Sequence, residues 1–274
     1  MTQYAKKAFL ACVAYVQRAL LWMLRQLNKT GRLSKVLGDG LLEVLVSGRH
    51  TVEWNGGSIH LTVVNAATAD RAKTVFSKEP ETIRWIDSME PSASVLWDVG
   101  ANIGLYSTLA AAKGVSVVAF EPLIANYEVL RENCLRNGLA ESLLILPVAV
   151  AGEVQVLRAK VPTQKLGRGA SAPNLVSLPA QGSSVDLGTA ALSLDSVREL
   201  FDVAPPTHLK IDVDGGEEAI LRGGASILAE VRSVLIEVAD NPESQVAVSS
   251  ILSGLGFQRK PLSARLNQLW ERSD

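Results

Sequence analysis

Cysteine and histidine are scarce in this 274-residue chain: it holds two of the first, Cys12 and Cys134, and three of the second, His50, His60 and His208. The two thiols lie far apart and belong to no Cys-x-x-Cys or Cys/His cluster, which argues against a disulfide framework and against a zinc site of the usual spacing. A reduced, cytoplasmic compartment is expected. Charge of one sign is also lacking. The 27 Lys and Arg nearly cancel the 28 Asp and Glu for a net charge of −1, so no global field attracts a polyanion and no nucleic-acid partner is expected. Long hydrophobic runs are missing from the apolar amino-terminal segment, where the longest uncharged stretch is the ten residues Ala8 to Gln17, against roughly 20 for a bilayer span. What remains is an ordinary globular composition, 47% apolar and 20% charged, long enough for one large domain with an appendage.

The first 50 residues differ from the rest. They carry eight basic and two acidic side chains, a net of +6, which leaves −7 for the remainder. Residues 4–27 read as a mostly apolar helix with Lys7, Arg18 and Arg25 on one narrow stripe. No small-residue cleavage site follows, so no signal peptide is expected. The favoured reading is a helix packed on the domain or on a partner subunit. The alternative is peripheral membrane contact through residues 4–27.

Two regions follow from the patterning. Residues 1–70 form an amino-terminal extension, the helix plus a hairpin in which Thr51 to Trp54 and Ile59 to Val63 flank Asn55-Gly56-Gly57. Residues 71–274 form the main domain. A short helix over 79–88 has Pro80 in its first turn. Strands over 94–99, 115–120, 143–150, 208–213 and 231–238 then alternate with helices over 102–113, 124–137, 196–201, 217–228 and 244–253. A pair of segments near Phe257 and Asn267 completes the sheet. This alternation predicts an α/β fold with a mostly parallel sheet and helices on both faces. Residues 151–190 interrupt it with one strand, 154–161, and a stretch rich in Gly, Ser, Ala and Pro, expected to act as a lid. The helix over 196–201 is expected to be capped by Asp195 or Ser196.

The strongest chemical signal is Asp98-Val99-Gly100-Ala101-Asn102-Ile103-Gly104 at a strand-to-helix junction. Gly100 permits a sharp turn and close approach to a ligand, and Asn102 tolerates positive φ. A dinucleotide loop wants G-x-G-x-x-G; here an acid stands two residues before the first glycine. That carboxylate would repel pyrophosphate but can hold an ammonium group, which favours S-adenosyl-L-methionine over NAD. Glu121 ends the next strand, where an acid can accept hydrogen bonds from both ribose hydroxyls. The run Leu209-Lys210-Ile211-Asp212-Val213-Asp214-Gly215-Gly216-Glu217-Glu218 brings further acids to the same rim.

These two runs, with Glu79-Pro80-Glu81-Thr82, Ala119-Phe120-Glu121-Pro122, Leu194-Asp195-Ser196 and Ile236-Glu237, resemble the FkbM family of S-adenosyl-L-methionine-dependent methyltransferases over roughly residues 71–272. Asp214 and Gly216 depart from the family's commoner KIDVEGAE. The resemblance implies a class I methyltransferase, Rossmann-like, with a mostly parallel seven-stranded sheet, and methyl transfer to a hydroxyl of a small-molecule or glycan acceptor such as a sugar or natural product. Carried over, it assigns Asp98, Gly100, Asn102 and Gly104 to the methionyl end of the cofactor and Glu121 to its ribose. Ala149 or Val150 would lie near the adenine, and Glu79 would close over the cofactor.

An alcohol reacts poorly until its proton leaves. Asp212 is the first candidate base, Asp214 the second and Glu237 a distant third. No metal ligand is assigned, although an acid cluster holding magnesium is an alternative. His208 opens the strand that Asp212 ends, roughly 13 Å away at about 3.3 Å per residue, and reads as structural. A non-catalytic binding module and an NAD-dependent oxidoreductase are the remaining alternatives. The acceptor and the oligomeric state are not readable.

Overall fold

The hairpin forms where expected, and its turn shows why. Asn55 and Gly56 both take positive φ, 50° and 77°, the two-residue loop that matches the twist of its flanking strands. These strands are β1 (Gly48–Trp54) and β2 (Gly57–Val63). A helix follows at once, α1 (Ala66–Thr74), begun by a reciprocal cap: Thr68 N donates to Asn65 Oδ1 at 2.9 Å and Asn65 N to Thr68 Oγ1 at 3.0 Å. Its signature is Asn-x-x-Thr rather than the familiar Ser/Thr-x-x-Glu, which is why the sequence reading passes over it. The computed structural model describes residues 48–162, 184–262 and 266–272. The expected helix over 4–27 and the Gly/Ser-rich centre of the 151–190 excursion lie outside them.

The main domain runs α2 (Pro80–Ser88), β3 (Val95–Val99), α3 (Leu105–Ala112), β4 (Ser116–Phe120), α4 (Ile124–Arg136) and β5 (Leu143–Leu146). Then come β6 (Ala149–Val150), β7 (Gln155–Pro162), β8 (Ser184–Leu192), α5 (Leu194–Phe201) and β9 (His208–Ile211). The chain ends with α6 (Glu217–Arg222), α7 (Ala225–Glu230), β10 (Ser233–Glu237), α8 (Pro242–Gly254), β11 (Phe257–Lys260) and β12 (Asn267–Arg272). Seven strands form the central sheet in the order β11-β12-β10-β9-β3-β4-β5. The five from β10 to β5 are parallel, and β12 is antiparallel to both its neighbours.

Alternation along the strands feeds a core on each face. Trp97, Val99, Leu209, Ile211, Val234 and Ile236 pack on one side, and Leu96, Val117, Ala119 and Leu235 on the other. Asp98 shares the side of Leu96. The hairpin belongs to a third cluster in which Val52, Ile59 and Leu61 meet Ile103, Leu109 and Val129. Two amides, one on α4 and one just past its end, tie it down. Asn133 Oδ1 accepts from Thr62 N at 2.7 Å while its Nδ2 donates to Ile103 O at 2.8 Å, and Asn137 bonds both backbone groups of His60.

Three expectations are corrected. The single strand over 143–150 is split into β5 and β6 around Pro147, which has no N–H for the ladder, and β6 joins β7 and β8 in a separate three-stranded sheet. The helix over 217–228 is divided by Gly223 and Gly224; a Cβ on Gly223 would stand 2.4 Å from Gly152 O, so close packing requires the break. Finally, Ser193 caps α5, accepting from Ser196 N at 3.1 Å. Asp195 instead caps α7, accepting from Ser226 N at 3.2 Å and Ile227 N at 2.9 Å. Among the described residues no helix is long and apolar enough to cross a membrane.

Candidate active site

Strand order reverses between β3 and β9, and a ligand crevice forms outside the carboxyl ends of the strands at such a point. The loop after β3 is shaped for it. Gly100, Asn102 and Gly104 have φ of 82°, 54° and 72°. A Cβ on Gly100 would lie 2.1 Å from the Asp212 carbonyl oxygen, and one on Gly104 would lie 1.9 Å from Leu130 Cδ1. At Gly100 the obstacle is backbone and only glycine fits; at Gly104 it is the end of a side chain, and the positive φ is what favours glycine. The loop is latched to β4 through Gly100 N and Ala101 N, both donating to Phe120 O, and through Asn102 N, which donates to Glu121 Oε2 at 2.8 Å.

Glu121 is thus an anchor as well as a wall. Its Oε1 accepts from Leu123 N at 2.8 Å and from Asn126 Nδ2 at 3.4 Å, and the residue is 4% exposed. Burial pushes its carboxyl up to about 7 against the pull of these donors. The cavity bounded by these loops measures about 640 Å³, within the range of small-molecule sites. Gly100, Asn102, Glu121 and Ala149 line it, and so do Glu79, Asp212 and Asp214.

Asp98 and Gly104 are not among the lining residues. Asp98 is buried behind the loop, where its Oδ2 accepts from Ser107 Oγ at 2.5 Å and its Oδ1 lies 3.8 Å from Lys210 Nζ with no other partner. Burial raises its carboxyl above the ordinary range, with Lys210 opposing. The sheet register explains the pairing, since Asp98 lies directly across from Lys210. Lys210 in turn donates to Asp212 Oδ2 at 2.8 Å and sits 5.3 Å from the centre of the Tyr106 ring. Burial alone would lower its ammonium; Asp212 and Asp98 hold it above its usual value, so it is a permanent buried cation.

Asp212 lies under the rim, with 36% of its side chain open to water through the cavity. Burial would raise its carboxyl, but the charge and hydrogen bond of Lys210 and a hydrogen bond with Glu237 bring it below the ordinary range. Glu237, another lining residue, is pushed up to about 7 by burial and then by the charges of Asp212 and Glu79. Glu79 precedes the first turn of α2 and hydrogen-bonds the Tyr106 hydroxyl, whose pKa rises through burial and this carboxylate. Asp214 is exposed on the glycine turn before α6. His208 is remote from this cluster, its ring 5.9 Å from Trp85 and its imidazole pushed down to about 4 by burial.

The residues to which the sequence reading gives no role are Lys210 and Tyr106; Glu237 enters it only as the third candidate base. A lysine inside an apolar strand, two positions before Asp212 and so on its face, is a readable signal. Tyr106 carries none, because only the packing of α3 brings it there. These residues fit S-adenosyl-L-methionine: a cradle that excludes a Cβ, an acceptor carboxylate for a diol, and small apolar residues at Ala149 and Val150.

The sequence profile described as the methyltransferase FkbM domain matches residues 98–259. Hexuronic acid methyltransferase AglP of Haloferax volcanii is 28% identical over 169 residues, covering 58% of this chain and 62% of that protein, so the chain spans less than two thirds of that relative's length. The 31-O-demethyl-FK506 methyltransferase FkbM of Streptomyces tacrolimicus is 30% identical over 191 residues, covering 60% of this chain and 72% of that protein. A solved methyltransferase FkbM from Methylobacillus flagellatus KT superposes with a TM-score of 0.47 at 14% identity, covering 76% of this chain and 62% of that one. With the profile spanning more than half its length, the chain belongs to the FkbM methyltransferase family.

Proposed function

We propose that this chain transfers the methyl group of S-adenosyl-L-methionine to a hydroxyl oxygen of a sugar, glycan or natural product. The observation that carries the reading is the convergence of the Gly100–Gly104 loop and the Glu121 carboxylate on one cavity at the sheet's switch point. The Haloferax and Streptomyces relatives, a hexuronic acid methyltransferase and a 31-O-demethyl-FK506 methyltransferase, support an acceptor of that kind.

When bound, S-adenosyl-L-methionine supplies an electrophilic sulfonium methyl. The chain's own residues do the rest. Glu121 is the acceptor for the ribose hydroxyls, and Ala149 gives the adenine a flat apolar edge. Gly100 and Asn102 bring backbone against the methionyl end, with Gly104 closing the loop onto Leu130 and Glu79 covering the opening. Asp98 acts from behind the loop, holding Lys210 and Ser107 rather than the ligand. Alignment and exclusion of water supply most of the acceleration, and the acceptor's proton leaves toward the carboxylates at the ends of β9 and β10, where Asp212, Asp214 and Glu237 line the cavity. Lys210 already answers the charge of Asp212, so no metal is invoked.

The test is incubation with methyl-tritiated S-adenosyl-L-methionine and a panel of uronic acids, neutral sugars and polyketide alcohols. Label bound to oxygen in one acceptor, with stoichiometric S-adenosylhomocysteine, is expected. Failure of the protein to bind either nucleoside would overturn the proposal.

A further inference from the structure

We propose that Glu237 is the catalytic residue that takes the acceptor's proton, and that Asp212 and Lys210 are the residues that position and charge it; this rests on the methyl-transfer reading above. Ile236 on β10 lies opposite Ile211 on β9, so the next residues along, Glu237 and Asp212, come abreast at the carboxyl edge of the sheet. Both line the cavity, and their side chains share a hydrogen bond. Two ionised carboxylates have only acceptors to offer each other, so that bond requires one proton between them. Lys210 Nζ, 2.8 Å from Asp212 Oδ2, keeps Asp212 ionised. Below about pH 7 the shared proton therefore resides on Glu237, and above it Glu237 is ionised and free to accept one.

The charges around Glu237 agree. Asp212 and Lys210 face it from β9 and Glu79 from the start of α2. On β12, Asn267 lies across from Glu237 in the sheet, with its amide engaged by Glu81 Oε1 at 3.1 Å. Burial and the two acids outweigh Lys210 and bring Glu237 to about 7. A general base works best when its affinity for a proton matches the working pH. Asp212 fails on both counts: its carboxyl is held below the ordinary range, and one oxygen is already committed to Lys210. Asp214 is exposed, and no described histidine lines the cavity.

In the step itself the acceptor O–H bond breaks as its oxygen forms a bond to the methyl carbon. The carbon–sulfur bond breaks with its electron pair left on sulfur, which becomes a neutral thioether. The proton goes to ionised Glu237 and afterwards to water at the cavity mouth. Sulfonium, alcohol and carboxylate become thioether, ether and carboxylic acid, and charge is conserved.

Two measurements test this. The first needs no acceptor: with S-adenosylhomocysteine bound, carbon-13 signals of labelled Glu and Asp carboxyls are followed with pH. A carboxyl titrating near pH 7 that disappears in Glu237→Gln and moves to lower pH in Asp212→Asn is expected. Glu121 also titrates near 7, and its signal is identified by its loss in Glu121→Gln; the absence of a second cavity carboxyl titrating between roughly pH 6 and 8, or the survival of that second titration in Glu237→Gln, overturns the assignment. The second uses the acceptor that takes up label in the panel above. Glu237→Gln should lower kcat by about 100-fold or more, leave the acceptor KM within about threefold, and abolish the rise of rate through pH 7. Asp212→Asn should retain more turnover, with that rise shifted to lower pH. If Glu237→Gln keeps both the rise and the wild-type kcat while Asp212→Asn loses them, Asp212 is the base and the inference fails. A protein that binds no S-adenosylhomocysteine would defeat the methyl-transfer reading instead, a separate result.

Discussion

Replacing Gly100 by alanine perturbs a close backbone contact between the ends of β3 and β9 at the switch point. The residue has φ of 82°, and its new Cβ would be built 2.1 Å from the Asp212 carbonyl oxygen and 3.3 Å from Val213 Cγ1. Left-handed backbone costs a non-glycine residue roughly 1–2 kcal/mol, and crowding a packed site adds roughly 1–3 kcal/mol, for a total of roughly 2–5 kcal/mol. The clashing atom is backbone, and Asp212 N is itself fixed to Val99 O at 3.0 Å. Relief therefore comes only by moving the ends of β3 and β9 apart, where the cavity lies. At about 2–4 °C per kcal/mol for a chain of this size, melting should fall by roughly 4–20 °C, and S-adenosylhomocysteine affinity should fall with it. Differential scanning fluorimetry and calorimetric titration read the two effects. Gly104→Ala is the control: its Cβ would crowd the Leu130 side chain instead, and Gly104 does not line the cavity, so melting should fall while affinity is largely kept. A Gly100→Ala protein that melts within about 2 °C of wild type and binds the nucleoside equally well would refute the reasoning.

Other consequences can be checked in the same protein. Asn133→Ala leaves Thr62 N and Ile103 O buried without their partner, and at about 1–3 kcal/mol for each orphaned group it should loosen the hairpin; urea unfolding detects the loss, and a loss near zero would deny Asn133 its role. Asp98→Ala strips Lys210 of the more distant of its two carboxylates and Ser107 Oγ of its acceptor; with Asp212 still paired to Lys210 the cost should stay below that of a fully broken buried pair, at about 1–3 kcal/mol, and a cost under about 0.5 kcal/mol would show that the pair is dispensable. Glu121 has its folded value raised to about 7 from an ordinary 4.5. The folded state therefore binds this proton more tightly than the unfolded chain, and the resulting stability is full below about pH 4.5 and lost as pH rises through 7, by about 3 kcal/mol. Glu121→Gln should flatten that fall between pH 5 and 8 in urea titrations, and coincident slopes would contradict it.

The parallel sheet was readable because β3, β4, β9 and β10 are short apolar runs separated by helices of regular length, and burial on both faces demands that composition. The positive-φ positions were readable too, since Gly100, Asn102 and Gly104 are residue types that tolerate such backbone. Other features depend on contacts distant in sequence. Pro147 alone does not reveal that β6 leaves the main sheet to pair with β8, and α1 depends on an uncommon cap. Within the site, the acid at Asp98 was visible, but its partner was not. Charge alone suggests that Asp98 meets a ligand's ammonium; the register across β3 and β9 adds the ammonium of Lys210, 3.8 Å from its Oδ1. The pairing of Asp212 with Glu237 joins residues 25 positions apart and required the order of strands, which no local pattern displays.

A crystal structure with S-adenosylhomocysteine shows directly what occupies the cavity beside Gly100. The ribose hydroxyls are expected on the Glu121 carboxylate, the homocysteine end along the Gly100–Asn102 backbone, and the sulfur facing Glu237 and Asp212. A ligand bound elsewhere, or one whose ribose leaves Glu121 untouched, would contradict the proposed site.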